Sequence, residues 1–316
     1  MRIFTLGEAM VRLSPWAPGE GLSGAFLFRA FVGGSELNLA CALSQLGHEA
    51  VWVSKLPDDP LGRRVLGLAR SLGVDTSGVV LSQDAQIGVY FADPWSSLPE
   101  VVYVRRGSAF STIGPEEVDW SLLGRSDWVH LTGITPALGE GPREAWLEAL
   151  KRARASGKGI SLDINYRSEL WSEEEARRIL APEAKRAEVL FCSLEDAVFL
   201  FGAPSDPELA CGHLKKALGA KVVALKAGEA RAFAADEEGR VLSGPSFNVP
   251  VRDPIGAGDA FSAGFLHGFW EGGVKRGLEW GSALSALKCG ALGDTFRFTE
   301  AEVRRLLEEG ESGDGS

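Results

Sequence analysis

Residues 188–226 read EVLFCSLEDAVFLFGAPSDPELACGHLKKALGAKVVALK. The runs EVLF (188–191) and KVVALK (221–226) are apolar at successive positions, so each must be covered on both faces, as a buried parallel strand is. Between them, residues 194–201 and 206–218 carry apolar side chains at helical spacing. Parallel strands need a long crossover, most often helical, so this segment reads as two strands joined through helices that lie on the sheet.

The same alternation runs through much of the chain. IFTL (3–6), AVWVS (50–54), WVHL (128–131) and GISLDI (159–164) are strand-like, and helical spacing recurs at 35–47, 61–72, 142–156 and 173–180. This order predicts an α/β fold with a mostly parallel central sheet and helices on both faces. After KVVALK the order changes to short strand-like pieces near 231–235 and 240–243, then helical patterns over 257–271 and 276–292. Two stretches break the rhythm. Residues 8–32 and 86–106 read as strands without intervening helices and predict a small accessory sheet. Such a sheet at one end of an α/β domain suits a lid that shields reactive groups from water; plain surface hairpins are the alternative. The chain therefore reads as a single domain over 1–310, with a polar, glycine-rich tail at 311–316.

Composition narrows the function classes. A chain of 316 residues buries a large core without disulfide staples. Its four cysteines, Cys41, Cys192, Cys211 and Cys289, have neither the spacing of a metal knuckle nor the density of a secreted scaffold. The formal net charge of -10 argues against broad nucleic-acid binding. The N-terminal MRIFTLGEAM is too short for a signal h-region, and nothing later resembles a membrane span. A cytoplasmic protein is expected. His48, His130, His213 and His267 are scattered, with no nucleophile pattern beside them.

The strongest chemical signal is DPIGAGDAFSAGFLHG at 253–268. Gly256, Ala257 and Gly258 let backbone N–H groups converge where a helix begins, which favours a phosphate oxygen there. Asp259 then falls in the first turn, placed to take a proton from a hydroxyl while the amides hold a transferring phosphoryl group. Taken alone, the stretch also fits a capping Asp in a glycine-rich turn. A second stretch, FVGGSELNLACALSQLG at 31–47, sets Gly33-Gly34 before another helix, with Asn38 one turn in. Paired glycines permit close approach to a ligand hydroxyl.

With both stretches in this order, the chain resembles the ribokinase-like, or PfkB, carbohydrate kinases over essentially its whole length. The resemblance implies a ribokinase-like three-layer α/β/α sandwich with a small β-sheet lid. It implies Asp259 as general base, Gly256, Ala257 and Gly258 as anion hole, and Gly34 as a sugar contact. Lys226 and Gly228, in KAGEAR at 226–231, match the family's nucleotide loop, with Ser193, Gly256, Gly258 and Ser282 as further nucleotide contacts. ATP with Mg²⁺ is the implied cosubstrate, a monovalent cation is left open, and a homo-oligomer through the lid strands is implied.

Within the family, Tyr90, YVRRGSA at 103–109 and DINYRSELW at 163–171 are similar to 2-keto-3-deoxygluconate kinases. That similarity places Tyr90, Tyr103, Arg105 and Arg167 around a sugar acid. Guanidinium forks suit a carboxylate, which a neutral sugar lacks. A solvated strand end is the alternative for Arg105-Arg106, and a structural partner of Asp163 or Glu169 for Arg167. The sequence departs from the family at the usual N-x-x-E, which here is Ser193-Leu194-Glu195-Asp196, making Asp196 the aligned metal-organising acid with Glu195 adjacent. It departs again at Arg231, where a glycine is usual, and at Ser282, often Asn. Pro254 replaces the common Thr. A kinase of fructose, ribose or a nucleoside, and a non-catalytic sugar- or nucleotide-binding protein, stay open at this point.

Overall fold

The fold was analysed in a computed structural model that describes residues 1–96, 100–228 and 231–313. The N-terminal part runs β1 (Arg2–Leu6), β2 (Met10–Pro15), α1 (Gly21–Gly24), β3 (Phe28–Gly33), α2 (Ser35–Gln45), β4 (Glu49–Pro57), α3 (Pro60–Ser71), β5 (Val79–Ser82), β6 (Gly88–Asp93) and β7 (Glu100–Val104). The middle runs α4 (Trp120–Gly124), β8 (Trp128–Thr132), α5 (Glu140–Ala155), β9 (Gly159–Asp163), α6 (Glu173–Ala184), β10 (Val189–Ser193), α7 (Leu194–Phe201), α8 (Pro207–Leu218) and β11 (Val222–Lys226). The chain closes with β12 (Ala232–Ala235), β13 (Val241–Ser243), α9 (Ala257–Cys289) and α10 (Glu300–Gly313).

Nine strands form one sheet in the order β13-β12-β11-β10-β9-β8-β1-β4-β5. From β11 to β5 every pairing is parallel, and only β12 and β13 add antiparallel. Period-two alternation explains why its strands are apolar throughout. On β10, Val189 and Phe191 pack against α9, while Leu190 and Cys192 point to the opposite face, where α5 to α8 lie. On β11, Val222 and Ala224 likewise divide from Val223 and Leu225. The result is three layers, as expected.

Residues 8–32 and 86–106 do form a separate sheet, in the order β3-β2-β6-β7. Its inner side packs Met10, Tyr90 and Ala92 with Tyr103 and Ile255, while Val102 and Val104 on β7 are exposed. Residues 97–99 of this expected lid lie outside the described residues. The two helical patterns near the C-terminus are the two halves of α9, separated by a kink of non-helical backbone at Gly272 and Gly273. The strand β5 and the helices α4 and α10 were not expected from the sequence, and the stretch 8–32, read as strands without an intervening helix, contains the short helix α1. Helix α10 extends over 311–313, part of the segment read as tail, and residues 314–316 lie outside the described residues.

No helix among the described residues is long and apolar enough to cross a membrane. All four cysteines are free; three are buried, as small hydrophobes are, and Cys289 is half-buried.

Candidate active site

Two cavities meet at the turn before α9. The larger, about 670 Å³, opens under the small sheet and is lined by Gly34, Tyr90, Tyr103, Arg105, Arg167 and Asp259, among others. The smaller, about 220 Å³, is lined by Lys226, Gly228, Ala257, Gly258, Phe261 and Ser282. Pro254 borders both. Every residue read as a sugar contact therefore falls on one side of the turn, and four of the six positions read as nucleotide contacts, Lys226, Gly228, Gly258 and Ser282, fall on the other.

The turn itself needs glycine. Gly256 caps α9 with φ 89°, and a Cβ there would lie 2.4 Å from the carbonyl oxygen of Asp294. An L-residue meets both a left-handed backbone and a clash at that point. The first turn of any helix carries N–H groups without intrahelical acceptors, and α9 presents those of Gly258 and Asp259 at the seam. The amide of Ala257 is already spent on the carbonyl of Pro254, at 3.1 Å. Gly256 also lines the larger cavity.

Asp259 is held at both oxygens. Ser35 Oγ donates to Oδ1 at 2.6 Å, and Asn38 Nδ2 donates to Oδ2 at 2.7 Å. Both donors stand in the first turn of α2, so the two glycine-led helices meet through this carboxylate. Desolvation raises its pKa to about 6, against the opposing pull of the two hydrogen bonds and of Lys226. Asn165 Nδ2 donates to Ser35 Oγ at 2.9 Å and adopts a left-handed backbone with φ 42°, extending the chain of donors from the loop after β9. Asn backbones tolerate that region better than most.

Lys226 ends β11 and pairs with the buried Asp163 at 2.6 Å. A Cβ on Gly258 would lie 3.5 Å from its Nζ, so the ammonium sits beside the start of α9. Ser282 Oγ, on the smaller cavity, is buried and has no hydrogen-bond partner among the described residues. An unsatisfied hydroxyl on a cavity wall fits a ligand that supplies the missing partner. Residues 229–230 of the nucleotide loop lie outside the described residues.

In the larger cavity the two arginines differ. Arg105 pairs with buried Glu8, whose other oxygen accepts from Ser108. Its guanidinium also lies 5.5 Å from the Tyr103 ring centroid. Arg167 forms no ion pair among the described residues; its Nη1 donates to the carbonyl of Tyr166 at 2.8 Å. Asp163, weighed as its structural partner, is taken by Lys226 instead. The solvated strand end describes Arg106, which is exposed, and not Arg105. Tyr90 and Tyr103 stack at 5.6 Å between centroids, and the Tyr90 hydroxyl donates to Asp294.

Ser193 and Asp196 line neither cavity. Ser193 Oγ caps α7 by accepting from the amide of Asp196 at 2.9 Å, and Asp196 accepts from the amide of Tyr166 at 3.2 Å. Glu195, by contrast, reaches the wall of the larger cavity. Gly33 is a packing position: a Cβ there would fall 2.4 Å from the Tyr90 hydroxyl.

Several groups here were not singled out from the sequence: Ser35, Asn165, Glu8, Asp294 and Glu36. Buried Glu36 accepts from Thr132 Oγ1 at 2.8 Å and Thr135 Oγ1 at 2.9 Å, and burial lifts its pKa to about 7. Ser35, Glu36 and Asn165 stood inside the quoted motifs, Ser35 three residues before Asn38, while Glu8 and Asp294 stood outside them.

Two cavities that adjoin at one glycine turn, with a carboxylate on the wall of the larger, suit the transfer of a group between two bound molecules, the arrangement of a phosphotransferase. The chain belongs to the pfkB family of carbohydrate kinases, whose pattern matches residues 2–301. A 2-dehydro-3-deoxygalactonokinase of Haloferax volcanii is 35% identical, over 98% of this chain and 98% of its own. A 2-dehydro-3-deoxygluconokinase of Thermoproteus tenax is 33% identical, over 97% and 94%. Among solved structures, the 2-dehydro-3-deoxygluconokinase of Thermotoga maritima matches with a TM-score of 0.91 at 29% identity, over 98% of each chain.

Proposed function

We propose that this carbohydrate kinase transfers the γ-phosphoryl group of ATP to the terminal hydroxyl of 2-keto-3-deoxygluconate (2-dehydro-3-deoxygluconate), giving the 6-phosphate and ADP. The observation that carries this reading is Arg167, a guanidinium with no ion pair among the described residues, on the wall of the same cavity as Asp259. A sugar acid supplies the carboxylate that such a fork binds, and a neutral sugar does not.

In this mechanism the sugar lies under the small sheet against Tyr90 and Tyr103, with Gly34 beside it. Asp259 takes the proton of the attacking hydroxyl as the new O–P bond forms and the bond from γ-phosphorus to the bridging oxygen breaks. The turn at Gly256–Gly258 faces the equatorial phosphoryl oxygens, where charge is spread in the transition state. Lys226, Gly228 and Ser282 hold the nucleotide on the far side.

No three of His, Cys, Asp and Glu converge as a metal cage among the described residues. That fits Mg²⁺ carried on the triphosphate with one or two carboxylates nearby, for which Glu195 and Asp196 are the groups at hand. When bound, the ion would offset the phosphate charge. The single kinase domain over 1–310 pairs with a second copy through the outer face of the small sheet, where Val102 and Val104 are exposed.

A second substrate, the C4 epimer 2-dehydro-3-deoxygalactonate, is favoured by the relative from Haloferax volcanii. The deciding experiment is ADP release from MgATP with both epimers, gluconate, fructose, ribose and adenosine. Preference for either keto-deoxy acid supports the reading; preference for fructose, ribose or adenosine removes the sugar acid from it.

A further inference from the structure

Arg12, on β2 of the small sheet, is fully buried. Its Nη1 lies 2.9 Å from Asp253 Oδ2 and 3.2 Å from Asp294 Oδ1, and its Nε donates to Ser14 Oγ at 2.9 Å. Asp253 also accepts from the amides of Ile255 at 3.1 Å and Gly293 at 2.9 Å. Buried Lys288 donates to the carbonyl of Asp253 at 2.8 Å and to that of Ala291 at 3.4 Å. Two buried cations and two buried carboxylates thus join the loop at 253–256 to the loop at 291–294. Both loops converge on Gly256, which packs against the carbonyl of Asp294. From the sugar side, Tyr90 donates to the same Asp294.

Four charged groups in one buried site are a poor means of stabilising a fold, because desolvation offsets most of the attraction and apolar replacements are often as stable. What such a set supplies is fixed position. A hole for a transferring phosphoryl group works through amides already aimed before the reaction, so the loops that carry the turn must not drift. We propose that Arg12 is a positioning residue for phosphoryl transfer, clamping the 253–256 and 291–294 loops and thereby the turn at Gly256–Gly258. This rests on the reading of that turn as the phosphoryl hole. Arg12 reaches neither cavity, so its effect on the reaction passes through the two loops, including Asp294 on the wall of the larger cavity.

The test compares wild type with Arg12→Met and Arg12→Lys. Steady-state kinetics with MgATP and 2-keto-3-deoxygluconate are read beside amide hydrogen exchange over 253–258 and 291–294. For Arg12→Met, kcat should fall about 100-fold, as for a displacement on the order of 1 Å, while both KM values change little and exchange over the two loops quickens. Arg12→Lys should recover part of kcat, since an ammonium keeps the charge between the two carboxylates but loses the Nε–H bond to Ser14. A folded Arg12→Met protein that keeps its kcat overturns the proposal, as does unchanged exchange. If Arg12→Met does not fold, Arg12→Lys decides: full kcat with unaltered exchange sinks the clamp. Wild type that phosphorylates no sugar acid would count against the proposed function, while the exchange comparison would still read the clamp.

Discussion

Asn38 on α2 and Asp259 on α9 stand 221 residues apart in sequence and meet through a 2.7 Å hydrogen bond. Together with Ser35 it fixes the carboxylate at the seam between the cavities. A base aimed in this way contributes through geometry and proton transfer, a factor of about 10²–10⁴. Asp259→Asn keeps the size and much of the hydrogen bonding, so kcat should drop by about that factor with both KM values nearly unchanged. The fold should not suffer, because burial already disfavours the ionised carboxylate and the amide is neutral. Steady-state kinetics with a thermal melt check this; near-normal turnover would remove Asp259 from the role of base.

The pH dependence follows from the same carboxylate. Its pKa of about 6 is well above the ordinary Asp value, and only the ionised form accepts a proton. On kcat/KM, which reports the free enzyme, activity should therefore be flat above neutrality and fall as pH drops through about 6. The Asn38 hydrogen bond stabilises the ionised form and lowers the pKa. Asn38→Ala should move the acid limb to higher pH, and a limb that stays put or moves lower would count against this assignment.

The two arginines of the larger cavity should respond differently to substitution. Arg167→Met would remove the hydrogen bonds proposed to the substrate carboxylate, of a kind that contributes about 1.5–3 kcal/mol each, so KM for the keto-deoxy acid should rise steeply while the melting temperature holds. Arg105→Met instead strands the buried carboxylate of Glu8, at 2% side-chain exposure, and breaking such a pair costs about 3–5 kcal/mol. Adding Glu8→Gln to Arg105→Met should restore much of the lost stability. Thermal melts of the three variants decide it, and a stable Arg105→Met single variant would show that the pair is not structural.

What the sequence revealed depended on how local the signal was. The strands EVLF and KVVALK, the glycine turn at 256–258 and the break at Gly272-Gly273 were legible because periodicity and backbone freedom act within a few residues. Arg105 was legible as a charge in the pocket. Its partner was not, since Glu8 lies 97 residues away and meets it only once the small sheet has formed. The Arg12–Asp253–Asp294–Lys288 set was invisible for the same reason, and a lone arginine on an alternating strand reads as solvent-facing. Ser193 and Asp196 carry a local signal with two readings. A Ser three residues before an Asp at a helix start also fits a cap, and that local role is the one Ser193 takes here.

His130 offers a stability test separate from catalysis. It is 1% exposed on β8, with Nδ1 2.8 Å from Ser161 Oγ, and burial lowers its pKa from 6.5 to about 4. Between those values the unfolded chain binds a proton that the folded protein refuses. Its contribution is therefore intact above about pH 6.5 and is lost as pH falls toward 4, since stability rises with pH wherever the unfolded state holds more protons. From pH 7 to pH 5 the loss should be about 2 kcal/mol. Asp259 shifts the other way in part of this window, but it does so equally in wild type and in His130→Asn. Urea unfolding of both proteins at the two pH values isolates the histidine. Wild type should lose more stability on acidification than the variant, by about that amount; equal losses would mean that His130 does not stay neutral in the fold.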